Sequence, residues 1–249
     1  MNASPLVPGR PAFAACLEPV PAGPGCATCP VREQALFSVL QPAERERVRD
    51  QVVHLAFAPD DALYLRAAPA GDVFTIRAGV VRFERPTAQG TRRVVRLAGP
   101  GDLIGAEALL DLPYADEAIA CTAVEACRIP KAAIDELNRG SDRLSHELMR
   151  RWQLALEASE TWLTELATGS AMRRLLGLLD RLQHYAGADG QIWMPRRDQI
   201  GSMLDMTIET ASRQISQLRR EGVLELRGQR HARLDTQALA AALQRQTGN

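Results

Sequence analysis

The sequence predicts an α+β protein: an N-terminal antiparallel β-roll, a long helix, and a C-terminal winged helix-turn-helix. Three observations carry this. Between His54 and Pro130, short apolar runs alternate with glycines. From Lys131 the apolar period becomes helical. Near the C-terminus, two short helical patterns precede two strand-like runs around Gly228.

The 249 residues suffice for two ordinary domains, and 46% hydrophobic with 24% charged residues is a globular balance. No apolar run approaches the roughly 18–20 residues that span a bilayer. Met1 to Ala15 lacks the basic and apolar regions of a signal peptide, so a cytoplasmic chain with no membrane partner is expected. Residues 1–32 form a Cys/Pro-rich segment, with prolines at 5, 8, 11, 19, 21, 24 and 30 that forbid a sustained helix or central strand. Cys16, Cys26, Cys29, Cys121 and Cys127 are an odd set without an export signal, which favours thiol, metal or redox chemistry over disulfides.

Residues 33–130 should form the roll. Short helices are expected at Glu33–Leu40 and Pro42–Val53. The strands include Val73–Ile76, Val80–Phe83, Val94–Leu97 and Cys127–Ile129, with turns at Gly71, Gly79, Gly90, Gly99, Gly101 and Gly105. Residues 131–168 should supply the dimerisation helix. Leu144, Leu148, Trp152, Ala155, Ser159, Trp162 and Leu166 lie 4-4-3-4-3-4 apart, a stripe close to the heptad a/d positions. Such a stripe packs either on its own domain or in a dimer seam; the seam is the expectation here, because a dimer suits the reading below.

Residues 169–249 should hold the helix-turn-helix. Gly169 marks a hinge, Ala171–Tyr185 is helical, and Ile200, Leu204, Ile208, Ile215 and Leu218 can form one buried face across two further helices. Thr207 is a good N-cap, and Gly201 lets the helices approach. Val223–Leu226 and Ala232–Leu234 flank Gly228 as a hairpin wing. From Met194 to Arg233 there are eight arginines against five acids, although the whole chain is formally neutral. Glu209, Ser212 and Arg213 share the face expected to lie opposite Ile208, Ile215 and Leu218. In a major groove, Arg can fork onto guanine and Glu can accept from cytosine. The same residues would also serve as a solvated face with an i,i+4 ion pair; the turn, cap and wing together favour double-stranded DNA. An enzyme is not expected: there is no Gly-rich phosphate loop, HExxH or GxSxG, and the four histidines lack ligand spacing.

At this point the chain, from about Cys26 to Leu243, resembles the Crp/Fnr family of bacterial transcription regulators. Gly71-Asp72, Gly79, Gly90 and Gly101-Asp102-Leu103-Ile104-Gly105 resemble the family's cyclic-nucleotide-binding-like roll. Thr207-Ile208-Glu209-Thr210-Ala211-Ser212-Arg213 resembles the Fnr-branch recognition helix. That resemblance implies a homodimer, a TTGAT-type palindromic promoter site and RNA polymerase as a partner, with Thr207, Glu209, Thr210, Ser212 and Arg213 at the DNA. Asp205 stands where the family usually has glycine; Asp tolerates left-handed geometry better than most residues.

Gly105-Ala106-Glu107 resembles the start of the cyclic-nucleotide cassette, but Ala115-Asp116 stands where that branch has an Arg-Ser or Arg-Thr pair. A carboxylate there repels a phosphate, so no cyclic AMP is expected. The CxxC of Cys26 and Cys29, with Cys127, resembles the Fnr-branch ligand set for an oxygen-labile [4Fe-4S] cluster. The usual third N-terminal cysteine is missing; Cys16 is the substitute expected, with Cys121 as the alternative or as a buried thiol. The resemblance thus implies control of anaerobic or respiratory genes by oxygen. Other readings keep the fold and the DNA site but sense nitric oxide through haem, or use a zinc or thiol switch.

Overall fold

The computed structural model describes residues 29–88, 90–139, 142–187 and 189–247. Cys16 and Cys26 lie outside the described residues.

The first described segment is less helical than its pattern suggested. Leu36–Val39 forms only a 3₁₀ turn. Helix α1 spans Pro42–Val48, with proline in its first turn and the Gln41 amide donating to Glu44 Oε2 at 2.6 Å. It ends early because Val53 enters strand β1, Val53–Phe57, which pairs with β8, Val124–Pro130.

The roll consists of two four-stranded antiparallel sheets. One has the order β1-β8-β3-β6, where β3 is Asp72–Ala78 and β6 is Leu103–Ile104. The other runs β2-β7-β4-β5, with β2 at Ala62–Tyr64, β7 at Glu117–Ala120, β4 at Val81–Pro86 and β5 at Arg92–Ala98. Inward residues from both sheets, including Phe57, Leu63, Phe74, Ile76, Phe83 and Ala118, form the roll's core. The turn into β4 needs Gly79: its φ is +88°, and a Cβ there would lie 2.3 Å from the Ala123 carbonyl oxygen.

Two helices follow, α2 at Lys131–Asn138 and α3 at Asp142–Thr161. Arg151 fastens α3 to the roll. Its buried guanidinium donates to the Gly101 carbonyl at 2.6 Å, to the Gln34 carbonyl, and to Glu147 Oε1 at 2.8 Å. A π-helical turn at Trp162–Leu166 ends this run.

In the C-terminal part, α4 is Ala171–Gln183, capped by Ser170 Oγ accepting from the Arg173 amide. It is followed by β9 (Gln191–Trp193), α5 (Arg197–Leu204), α6 (Ile208–Arg220), β10 (Leu224–Arg227), β11 (His231–Leu234) and α7 (Thr236–Thr247). β10 and β11 form the expected hairpin, and β9 adds a third antiparallel strand. One apolar cluster joins Leu175, Leu179, Ile200 and Met203 to Val80, Val94 and Leu97 of the roll. Ser202 Oγ also donates to the Arg92 carbonyl of β5 at 2.9 Å. No described helix is long and apolar enough to cross a membrane.

Candidate nucleic-acid interface and metal centre

The turn between α5 and α6 is built by three local choices. A Cβ on Gly201 would lie 2.7 Å from the Met206 carbonyl oxygen, so only glycine fits. Asp205 takes the left-handed conformation, φ 53°, in which the sequence placed it. Thr207 Oγ1 accepts from the Thr210 amide at 3.2 Å, satisfying one of the N-terminal amides of α6.

Helix α6 buries Ala211, Ile215 and Leu218. It exposes Glu209 and Arg213, with Thr210 and Ser212 half-buried between them. Arg213 Nη2 reaches Thr210 Oγ1 at 3.4 Å, rather than forming the i,i+4 ion pair with Glu209. The Glu209 backbone amide and the Thr207 hydroxyl hold the Glu209 carboxyl below its ordinary range. Ile208 departs from expectation. It is 52% exposed instead of joining the buried face, because it opens α6 beyond the packed turn. The polar face therefore begins with an apolar, β-branched side chain.

A second feature lies in the roll. Cys29 and Cys127 line one cavity of about 340 Å³ between the α1 segment and the sheet of β1, β8 and β3. Register sets Cys127 directly opposite His54 on β1 and Thr75 on β3. Arg77 also lines the cavity, its Nη1 lying 3.3 Å from His54 Nδ1 and 3.8 Å from Glu125. Among the described residues, no three His, Cys, Asp or Glu side chains gather into a metal-binding group. The two thiols share this cavity with Arg32, Arg45, Arg49 and Arg77 and with an apolar lining that includes Val31, Phe37 and Ile129.

Cys121 is elsewhere. It packs with Val80, Val94 and Leu97 away from the cavity, and Arg82 Nη1 donates to its sulfur at 3.9 Å. Burial pushes its thiol up to about 12 despite Arg82. It is a core thiol, set apart from the cavity that Cys127 lines.

Asp116, the carboxylate noted in the sequence, is bonded to Arg85 Nε at 2.6 Å. Beside it Glu107 Oε1 accepts from the Ala115 amide at 3.2 Å. Tyr64 and Tyr114 stack with ring centroids 3.9 Å apart, and Tyr114 donates to the Asp72 carbonyl.

On α3 the stripe divides. Leu144 and Trp162 are buried in the chain's own core, Leu148 and Ala155 are partly covered, and Trp152 is 54% exposed. Met149, Leu156 and Leu163 are exposed with Trp152, at 3-4-7 spacing. Of the expected stripe, Trp152 is thus the large apolar side chain left exposed, beside Met149, Leu156 and Leu163.

A β-roll joined through a long helix to a winged helix-turn-helix defines a DNA-binding transcription regulator. Two family models match: a cyclic nucleotide-binding domain over residues 54–139 and a Crp-like helix-turn-helix domain over 173–242. The chain belongs to the Crp/Fnr family. Its relatives include an anaerobic regulatory protein of Pasteurella multocida, 23% identical over 211 residues covering 82% of this chain and 77% of the relative. The transcriptional activator protein FnrL of Cereibacter sphaeroides is 22% identical, covering 83% and 86%. Among solved structures, FixK2 from Bradyrhizobium japonicum shares the fold with a TM-score of 0.68 and 24% identity, over 77% of this chain and 96% of that one.

Proposed function

We propose that the chain acts in the cytoplasm as a homodimer that binds a TTGAT-type palindrome and reports oxygen or redox state to RNA polymerase through a labile [4Fe-4S] cluster. The shared cavity of Cys29 and Cys127 carries this reading, because no local motif requires two cysteines so far apart in sequence to line the same pocket. Cys16 and Cys26 complete the ligand set, and the core position of Cys121 favours Cys16 over it. When bound, the cluster supplies a redox-sensitive, thiolate-anchored centre. Arg151 supports transmission to α3, since it bonds both Gln34, five residues after Cys29, and Gly101. The exposed Met149, Trp152, Leu156 and Leu163 provide the dimer seam, and Glu209, Ser212 and Arg213 read the bases, with Thr207 and Thr210 at the helix start. The Arg85–Asp116 pair supports a roll that does not take cyclic AMP.

The test is anaerobic purification with iron and sulfide assays, a visible spectrum, and DNA binding before and after air. About four iron per chain, with a broad absorption near 400 nm that bleaches as palindrome binding weakens, is the expected result. Iron-free protein that binds the same site in air and without air removes the cluster from the proposal.

A further inference from the structure

Two polar attachments tie the helix-turn-helix to strand β5 of the roll. Ser202 Oγ donates to the Arg92 carbonyl at 2.9 Å, and Arg93 Nη2 lies 3.7 Å from Asp205 Oδ1. Val94 and Leu97 of the same strand share an apolar cluster with Ile200 and Met203 of α5, so the contact is packed as well as polar. From α4, Arg174 Nη2 donates to the Asp205 carbonyl at 3.3 Å.

Arg93 differs from its neighbours in what it pairs with. Arg82 pairs with Glu84, Arg85 with Asp116 and Arg92 with Glu117, all within the roll, and Arg96 lies over the Phe83 ring. Arg93 instead faces Arg85 directly across the β4–β5 ladder, a like-charge pairing that weakens a sheet. The roll's own packing therefore gives no reason for a cation there. The Arg93 side chain is 44% exposed and that of Asp205 81%. Asp205 precedes the Thr207 cap by two residues, a span of at most about 7 Å. When the start of α6 enters a major groove, this turn comes to the groove edge, where the phosphates run. An exposed carboxylate alone would repel them. A guanidinium carries five N–H donors, so pairing with Asp205 leaves others to point at a phosphate.

Resting on DNA binding by α6, and not on the cluster, we propose that Arg93 of the roll belongs to the DNA-binding surface. It donates to a backbone phosphate beside the groove that α6 enters, and Asp205 aims it there. The contact adds affinity without sequence preference. It also makes DNA binding depend on β5 and α5 staying docked.

The test compares the full chain, purified without air, as wild type, Arg93→Ala, Asp205→Asn and the double variant. Arg47→Ala, which removes an exposed cation of α1, is the charge control. Affinity for a TTGAT-palindrome duplex and for a duplex of unrelated sequence is measured across a salt series. Expected in Arg93→Ala is binding about 5-fold weaker near physiological salt, with the slope of log affinity against log salt smaller by about one per bound chain. The same slope change is expected on both duplexes, so the inference is judged apart from the TTGAT reading. Arg93→Ala should also lower affinity when added to Asp205→Asn, where an acceptor oxygen remains but no charge is left to screen. Unfolding midpoints, expected to match because both side chains are exposed, control for folding. A slope equal to that of wild type, or a loss that vanishes in the Asp205→Asn background, overturns the phosphate contact. An equal slope change in Arg47→Ala overturns it too. A wild type that binds neither duplex overturns the DNA-binding reading along with it.

Discussion

Arg151 donates to the carbonyl oxygen of Gln34, linking α3 to the segment that carries Cys29. The same guanidinium holds the Gly101 carbonyl and Glu147, so one buried cation joins three parts of the chain. Its neighbour Trp152 faces outward along the proposed dimer seam. A shift of the cysteine segment therefore has a direct route to that seam.

Arg151→Met removes the cation and leaves Glu147 and two carbonyls short of donors. We expect a loss of about 3 kcal/mol in denaturant unfolding. Arg151→Lys recovers little of it, because an ammonium cannot reproduce the guanidinium's fixed fork. Unchanged stability in Arg151→Met would show that the network is dispensable.

Ile208 should touch a thymine methyl in the major groove, the apolar contact that complements Glu209 and Arg213. Ile208→Ala should weaken binding to the TTGAT-type site about 5-fold. Replacing each thymine of the site by deoxyuridine in turn should find one position where wild type loses a similar factor and Ile208→Ala loses almost nothing. Additive losses at every thymine would place Ile208 off the bases.

The two faces of α3 should separate by measurement. Leu156→Glu or Met149→Glu should shift the chain toward monomer in sedimentation without lowering monomer stability. Leu144→Ala should instead cost about 2–5 kcal/mol in unfolding, as expected for a fully buried leucine. Dimer loss from Leu144→Ala at unchanged stability would reverse this assignment.

Glu147 gives stability a pH dependence. Hydrogen bonding from Arg150, reinforced by the charge of Arg151, lowers its carboxyl below the ordinary 4.5. The unfolded chain then binds the proton more readily than the folded one. The stabilisation is fully present above about pH 4.5 and is lost as pH falls through the folded value. Unfolding midpoints between pH 6 and 3.5 should fall less steeply in Glu147→Gln than in wild type. Parallel curves would mean that Glu147 does not report the acid limb.

The helix-turn-helix was legible because its determinants are local. Gly201, Asp205 and Thr207 each act within a few residues, and all three hold the expected roles. The exposure of Ile208 was not, since periodicity places it in phase with Ile215 but cannot reveal that its side chain lies outside the packing that buries Ala211 in the same turn. On α3, likewise, spacing ranks apolar positions without saying which neighbour covers them. Leu144 is claimed by the cluster containing Leu36 and Ile134, and Trp162 by the one containing Leu175. That Cys29 and Cys127 line one cavity was expected only from the family resemblance.

The Arg85–Asp116 pair has a consequence for selectivity. A carboxylate on the same chain behaves as a tethered competitor, present at an effective concentration in the millimolar range or above. A diffusing anion at micromolar levels must displace it from Arg85 before it can gain any contact of its own. The pair thus keeps Arg85 occupied, and Asp116→Ser would release it in a single step.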